Sequence, residues 1–195
     1  MKTLLLFNAQ QMSAYRWQAG ALSRDEIFAA DEAGQQQFAA YLAKNPQDVF
    51  SLLINVAEES FQIESIPFVR GADRKALIKR KLTQVFFNAE LSTCVSLGHE
   101  KSTRKNERIL LSALTQHASF APWLAELRQA NTVLSGIYSL PLLTPWLLDK
   151  LRIRDEHYLL LSVQEQNLRQ SYLAEGKLTF SRLTPLPNTS PEHIA

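Results

Sequence analysis

The sequence predicts an α/β fold built around a mixed β-sheet, and three observations support this prediction. Segments with the apolar alternation of β-strands are followed by amphipathic helical segments, and this order repeats along most of the chain. The first 30 residues contain three short strand patterns in succession, which is typical of an antiparallel β-meander. A β-hairpin pattern occurs at 4–24 and again at 159–183. The chain has 195 residues, which is enough for one domain or two small lobes with a buried core.

The composition is that of a soluble globular protein, with 46% hydrophobic and 21% charged residues and a net charge of +2. This charge is too small to indicate a nucleic-acid or membrane partner by itself. The single cysteine, Cys94, excludes an internal disulfide, and its apolar surroundings favour a buried packing residue over a nucleophile. The opening MKTLLLF is too short for a secretion signal, and Pro141 and Pro145 interrupt the most apolar later segment.

The first elements follow from periodicity. We expect strands at LLLF, MSAYRW and EIFAA, with a turn at AGAL. Asp31 is a candidate N-cap for a helix with Phe38, Tyr41 and Leu42 on its apolar face, and Pro46 ends this helix. VFSLLINVA and FQIESIPF then read as two strands.

The second half continues the alternation. RKALIKRKLTQVFF is an amphipathic helix whose apolar stripe is Leu77, Ile78, Leu82 and Val85, and Phe86 and Phe87 are predicted core residues. We expect strands at STCVSLGHE, RILLSALT and TVLSGIYS, and helices at FAPWLAELRQA and at the proline-bounded LPLLTPWLLDKL. Trp17, Trp123 and Trp146 are interpreted as packing residues.

The two hairpin patterns match without a gap when the first is moved forward by 156 positions. Leu4 then falls on Leu160, and Gly20 falls on Gly176. The other matched positions are Leu5 with Leu161, Phe7 with Val163, Gln10 with Gln166, Met12 with Leu168 and Leu22 with Leu178. The turn glycine is retained where a positive φ is favoured, so the pattern indicates an internal duplication; two unrelated hairpins are the alternative.

Three longer segments resemble proteins of the actin-like ATPase superfamily, whose two lobes each begin with a β-hairpin. They are 51–68 with the charged helix that follows, 109–143, and 158–183. Within that superfamily the chain is most similar to the bacterial PilM-like proteins of type IV pili and to the cytoplasmic part of type II secretion protein L (GspL-like).

The resemblance implies a ribonuclease H-like, actin-like ATPase fold with a hairpin start, a mixed sheet, flanking helices and an incomplete second lobe. The expected division is a first lobe at 1–155 with an inserted subdomain at about 49–108. The opening hairpin of a second lobe is expected at 156–184, and a flexible proline-rich tail at 185–195. The chain is then expected to be part of a longer protein.

The loops that would hold a nucleotide differ from those of ATP-binding members of this superfamily, where each hairpin begins with Asp-x-Gly. Asn8 and Gln10 stand in the first loop, and Gln164 and Glu165 in the second. These four are the candidate nucleotide-binding residues. Neither loop has the aspartate that helps to hold the metal, or a glycine that lets backbone N–H groups approach phosphate. We therefore expect a pseudo-ATPase without catalytic residues; ATP is the only cofactor left open.

Other catalytic and metal-binding arrangements lack their residues. The four histidines, His99, His117, His157 and His193, do not have the spacing of metal ligands, so no metal site is expected. The sequence has no Gly-x-Ser-x-Gly elbow and no phosphate-binding Gly-x-x-x-x-Gly-Lys loop.

Two basic clusters are candidate binding surfaces. The first comprises Arg70, Arg74, Lys75, Lys79, Arg80 and Lys81, and the second Lys101, Arg104, Lys105 and Arg108. Solvated faces are one interpretation, and a surface for an acidic partner or an anionic membrane is the other. We select Arg74, Lys75, Lys79 and Arg80 as candidate partner-binding residues. Nucleic acid is not expected, because aromatic residues do not interleave with the basic ones.

The resemblance therefore predicts a non-catalytic cytoplasmic scaffold of a type IV pilus or type II secretion-like envelope machine. Its partners would be other proteins of that machine, such as the short cytoplasmic tail of an inner-membrane protein. The protein could be peripheral to the inner membrane or anchored there by further sequence. A divergent actin-like ATPase or kinase is the first alternative, and a basic nucleic-acid-binding module is the second.

Overall fold

The computed structural model describes residues 1–87, 89–100, 105–116, 118–164 and 167–186. The strands are β1 (Lys2–Phe7), β2 (Gln11–Gln18), β3 (Ala21–Ala29), β4 (Val49–Ile54), β5 (Glu59–Ile66), β6 (Ser92–His99), β7 (Glu107–Leu114), β8 (Val133–Ser139), β9 (His157–Gln164), β10 (Asn167–Ala174) and β11 (Lys177–Pro185). The helices are α1 (Glu32–Lys44), α2 (Gly71–Val85), α3 (Ala121–Gln129) and α4 (Leu140–Lys150). The predicted alternation of strands and helices is confirmed.

The chain forms two compact units. Unit 1 comprises Met1–Val56 and His117–Leu143, and unit 2 comprises Ala57–Gln116 and Thr144–Ala195. These units follow packing, whereas the predicted lobes 1–155 and 156–184 follow the internal repeat, and the lobes stay a prediction. The predicted insertion at about 49–108 includes β4, which lies in the large sheet of unit 1. Strand β11 reaches the first residue of the predicted tail, and 187–195 lie outside the described residues.

Unit 1 is built on a five-stranded mixed sheet with the order β3-β2-β1-β4-β8. Strands β1, β2 and β3 form an antiparallel meander, whereas β1, β4 and β8 run parallel to one another. Its core is aromatic: Phe38 of α1 packs edge-on against Trp123 of α3 and against Phe28 of β3. The Asp31 side chain caps α1 by accepting from Gly34 N at 2.7 Å, as predicted.

Unit 2 contains two three-stranded antiparallel sheets, β5-β7-β6 and β11-β10-β9. The predicted apolar stripe of α2 packs against the buried residues Ile66, Ile109 and Leu111. Phe86 and the half-buried Cys94 join this cluster.

Four details of the sequence prediction were wrong. Phe87 is not a core residue, because it follows the end of α2 and its side chain is 83% exposed. Trp17 and Trp146 are 62% and 63% exposed, whereas Trp123 is buried as predicted. Pro145 lies inside α4 and does not bound it.

The two β-meanders have the same turn and nearly the same register. The turn residues Ala19 and Gly20 have φ of 50° and 82°, and Glu175 and Gly176 have φ of 50° and 70°. Two successive positive φ angles are the requirement of a type I′ hairpin. Leu4 pairs with Tyr15 in unit 1, and in unit 2 the equivalent pair is Leu160 with Ser171. The match at 156 positions therefore extends from sequence to backbone pairing.

The burial of the two equivalent first strands differs. In β1, Thr3, Leu5 and Phe7 are buried, at 1% exposure or less. Their equivalents in β9, which are Leu159, Leu161 and Val163, are 63%, 54% and 46% exposed. Strand β1 lies inside its sheet with β4 beside it, whereas β9 is the edge strand of its three-stranded sheet.

Candidate functional site

The carboxyl ends of the parallel strands β1, β4 and β8 meet at one edge of the unit 1 sheet, where open α/β sheets bind ligands. The polar residues at this edge are Asn8, Asn55 and Ser139. All three are uncharged. Asn55 N donates to Phe7 O at 2.9 Å, which ties the end of β4 to the end of β1.

Asn8 closes the turn between β1 and β2. Its side chain is buried, and its Oδ1 accepts hydrogen bonds from Gln10 N and Gln11 N, each at 2.9 Å. The Asn8 N–H in turn donates to Gln11 O at 3.1 Å, and Gln10 O accepts from Ala30 N at 3.0 Å. An asparagine that caps the N–H groups two and three residues later is a common way to stabilise such a turn.

These bonds oppose a phosphate-binding role for the first loop. A phosphate cradle needs backbone N–H groups that point at the ligand. Here two of those N–H groups already donate to Asn8, and the loop offers no carboxylate to a metal ion. Asn8 and Gln10 therefore lie in a closed turn, and their predicted role in nucleotide binding stays a prediction. Gln10 has an exposed side chain.

Ser139 and Asn55 lie at this edge but were not among the candidates predicted from the sequence. The Ser139 Oγ is buried and has no hydrogen-bond partner within the described part of the chain. No motif surrounds this serine in the sequence, so its position became visible only once β8 was placed beside β4. A neutral hydroxyl does not supply the charge that holds Mg²⁺.

The second predicted loop lies in unit 2, between β9 and β10. Gln164 is the last residue of β9, is exposed, and pairs with Asn167 of β10. Glu165 lies outside the described residues. The role of both residues in nucleotide binding stays a prediction.

Arg74 is part of an ion pair within unit 2. Its Nε and Nη2 donate to the two carboxylate oxygens of Glu107 at 2.8 and 2.7 Å. Glu107 is buried, and the hydrogen bonds from Arg74 lower its pKa from 4.5 to about 2. The pair ties α2 to the start of β7. The role of Glu107 was not predicted, because a single glutamate at the start of a strand forms no recognisable sequence pattern.

The other three predicted partner-binding residues are exposed on α2. Lys75, Lys79 and Arg80 lie away from the apolar stripe, and among the described residues no salt bridge engages them. We call these three residues the α2 basic face. The neighbouring Lys81 differs, because its Nζ lies 2.9 Å from Glu64 Oε2. In the second basic cluster, Lys101 and Arg104 lie outside the described residues.

The described histidines contact aromatic rings. His99 lies edge-on to Phe68 with ring centroids 5.2 Å apart, and the His157 Nδ1 is 2.8 Å from the Tyr172 hydroxyl. His117 and His193 lie outside the described residues. Within the described ranges, no three His, Cys, Asp or Glu side chains are grouped as metal ligands. No described helix combines the length and the apolar character needed to cross a membrane.

Comparison with solved structures decides the fold. A chain of a PilM-PilN type IV pilus biogenesis complex matches with a TM-score of 0.66 at 12% identity, over 93% of this chain and 60% of that one. A Bacteroides thetaiotaomicron protein with actin-like ATPase fold and unknown function matches with a TM-score of 0.51 at 11% identity, over 96% of this chain and 71% of that one. The chain has the actin-like ATPase fold.

A third match has the same fold. The cytoplasmic domain of EpsL, an inner membrane component of the type II secretion system of Vibrio cholerae, gives a TM-score of 0.54 at 11% identity, over 94% of this chain and 69% of that one. No family model matches the sequence, and no curated protein matches it. The predicted actin-like fold and the predicted likeness to PilM and type II secretion protein L are confirmed at the level of the fold.

Proposed function

We propose that this protein is a non-catalytic, actin-like scaffold that acts by protein–protein binding in a type IV pilus or type II secretion-like envelope machine. The observation that carries the proposal is the closed β1–β2 turn. Asn8 stands where ATP-binding members of the superfamily have an aspartate, and it occupies two N–H groups of the loop. The fold is thus retained while one phosphate loop has lost its charge and its free donors.

The likeness in fold supports the choice of machine. One structure with this fold is described as part of a pilus biogenesis complex with PilN, and another as the cytoplasmic domain of a secretion-system component. This chain spans 60% of the matched chain of the pilus complex, so activities of a whole relative are carried over here only as proposals. We infer a cytoplasmic location, and an inner-membrane protein with a short cytoplasmic tail as the partner.

The α2 basic face supports an acidic partner segment. Lys75 and Lys79 are one helical turn apart and therefore lie on the same side of α2. Arg80 projects about 100° further around the helix and is also exposed, so the three cations cover the solvent-facing part of α2. Complementary charge accelerates association and selects among partners. Arg74 is not part of this surface, because its guanidinium binds Glu107.

Titration with Mg-ATP tests the non-catalytic part of the proposal. Calorimetry and a phosphate-release assay are expected to show no turnover for the wild-type protein. They are also expected to show none for Asn8→Asp, which restores the carboxylate but keeps the acceptor that closes the turn. Micromolar ATP binding with turnover by the wild type would establish the alternative, a divergent ATPase.

Charge reversal tests the partner surface. A triple variant of the α2 basic face, in which Lys75, Lys79 and Arg80 become glutamate, is compared with a control of equal charge change, in which Lys2, Arg24 and Lys44 become glutamate. We expect the wild type and the control to capture the same inner-membrane protein from cells that assemble the machine. The triple variant should lose it. Equal capture by all three proteins would contradict the assignment of this surface.

A further inference from the structure

A small cleft in unit 2 gathers basic side chains from three strands. It has a volume of about 190 Å³ and is lined by Leu97, Arg108, His157, Ala174, Glu175, Lys177 and Thr179. Arg108 comes from β7, His157 from β9 and Lys177 from β11. These residues are far apart in the sequence, and only Arg108 belongs to a basic cluster that the sequence shows.

Lys177 is held in the cleft by a backbone irregularity. Its half-buried Nζ donates to Leu97 O at 2.6 Å. The pairing of β6 with β7 shifts register between Ser96 and Gly98, and Gly98 has φ +93°. A Cβ at position 98 would lie 2.9 Å from the Lys177 Nζ, so the glycine makes the room that the ammonium occupies.

The ammonium of Lys177 retains donors for a ligand. A lysine has three N–H donors, and Leu97 O accepts from one of them. Among the described residues, no carboxylate lies within salt-bridge distance of Lys177 or of Arg108. A partly buried ammonium that has only a carbonyl as partner favours the approach of an anion.

The remaining groups leave the cleft positive. Glu175 is the carboxylate among its lining residues, and it is exposed on the hairpin turn. His157 lies with Nδ1 at 2.8 Å from the Tyr172 hydroxyl and Nε2 at 3.8 Å from the Glu156 carboxylate. Lys177 and Arg108 therefore outnumber the single lining carboxylate, and the Glu156 side chain beside His157 is 79% exposed to solvent.

We propose that this cleft binds one small oxyanion, a phosphate or a carboxylate, between Lys177 and Arg108. Its volume is below the range of about 300–1,000 Å³ typical of pockets for drug-sized ligands, so the cleft fits a single oxyanion group better than it fits a larger ligand. The cleft shares no residue with the β1–β2 turn or with the α2 basic face, so the proposal does not depend on the proposed function.

NMR titration of the full chain with inorganic phosphate, and separately with acetate, tests the site at constant ionic strength. The amide signals of Leu97, Gly98 and Arg108 report on it. We expect saturable shifts with at least one anion, and the preferred anion tells phosphate from carboxylate. Lys177→Gln retains a donor for Leu97 O, and it should weaken binding about tenfold or more, as should Arg108→Gln, because each removes a charge-assisted hydrogen bond.

Lys44→Gln is the matched control, because it removes the same charge from an exposed position in unit 1 that belongs to neither proposed binding surface. It should bind as the wild type does. If Lys177→Gln loses its folded spectrum, Arg108→Gln decides, since Arg108 is exposed. Wild-type affinity in Arg108→Gln would overturn the proposal, and so would the absence of saturable shifts with both anions.

Discussion

Replacing Glu107 with glutamine should remove a pH-dependent part of the stability of unit 2. The Glu107 side chain is 6% exposed and receives two hydrogen bonds from Arg74, which hold its pKa at about 2 in the folded chain. Because the folded-state pKa is depressed, the carboxylate stabilises the fold fully above pH 4.5, and this contribution is lost as the pH falls towards 2.

The size of the effect follows from the pKa difference. A decrease from 4.5 to about 2 corresponds to about 3.4 kcal/mol at about 1.36 kcal/mol for each pKa unit. Arg74 is 33% exposed, and solvent screening weakens its attraction for the carboxylate. We therefore expect Glu107→Gln to lower the free energy of unfolding by about 2–3 kcal/mol at pH 7.

Urea unfolding of the wild type and of Glu107→Gln between pH 7 and pH 2.5 measures this difference. The gap between the two proteins should narrow steadily below pH 4.5. Glu26→Gln is the control, because Glu26 is exposed on β3, and it should leave the free energy of unfolding nearly unchanged at every pH. A gap that is the same at pH 7 and pH 2.5 would refute the reasoning, since the loss would then come from packing rather than from charge.

Three further predictions concern positions where the backbone is tightly constrained. Gly34→Ala, in the first turn of α1, should lower the free energy of unfolding by more than about 2 kcal/mol in thermal or urea unfolding, because the new Cβ would clash with the Ala29 carbonyl oxygen; a smaller loss would mean that α1 shifts easily. Gly20→Ala and Gly176→Ala should each cost about 1–2 kcal/mol in the same assay, because both glycines have positive φ and open space around them; unequal costs would contradict the equivalence of the two turns. Asn8→Ala should cost about 1–3 kcal/mol through two unpaired N–H groups, whereas Asn8→Asp should cost less, and equal losses would show that the acceptor is unimportant.

Periodicity was sufficient to predict most elements of this fold. The helix capped by Asp31 and the apolar stripe of α2 were visible because each is a local pattern with a physical requirement. The prediction that Phe87 belongs to the core was wrong. Phe87 follows the end of α2, so the helical period no longer determines which way its side chain points. Pro145 was predicted to bound α4 because a proline inside a helix removes a backbone hydrogen bond and clashes with the preceding turn, but α4 continues through it.

The candidate site was less predictable because its contacts join residues that are distant in sequence. Asn8 was a candidate because it is an uncharged residue where ATP-binding relatives have an aspartate. Its two hydrogen bonds to the turn are seen only in the structure. Glu107 and Lys177 gave no pattern at all, since their partners are Arg74 and the carbonyl of Leu97. Periodicity and motifs do not identify a residue whose role depends on a single partner that is distant in the sequence.

The repeated meander shows how the same sequence pattern can have two different surroundings. Pairing register and turn geometry are set within each hairpin, and they agree between Leu4–Tyr15 and Leu160–Ser171. Burial is set by the neighbouring strand and helices. Unit 1 supplies β4 beside β1, whereas β9 has no described strand beyond it and leaves Leu161 more than half exposed. Local chemistry therefore produces the same hairpin in both places, and the neighbouring elements of each hairpin decide whether its apolar face belongs to a core or to a surface.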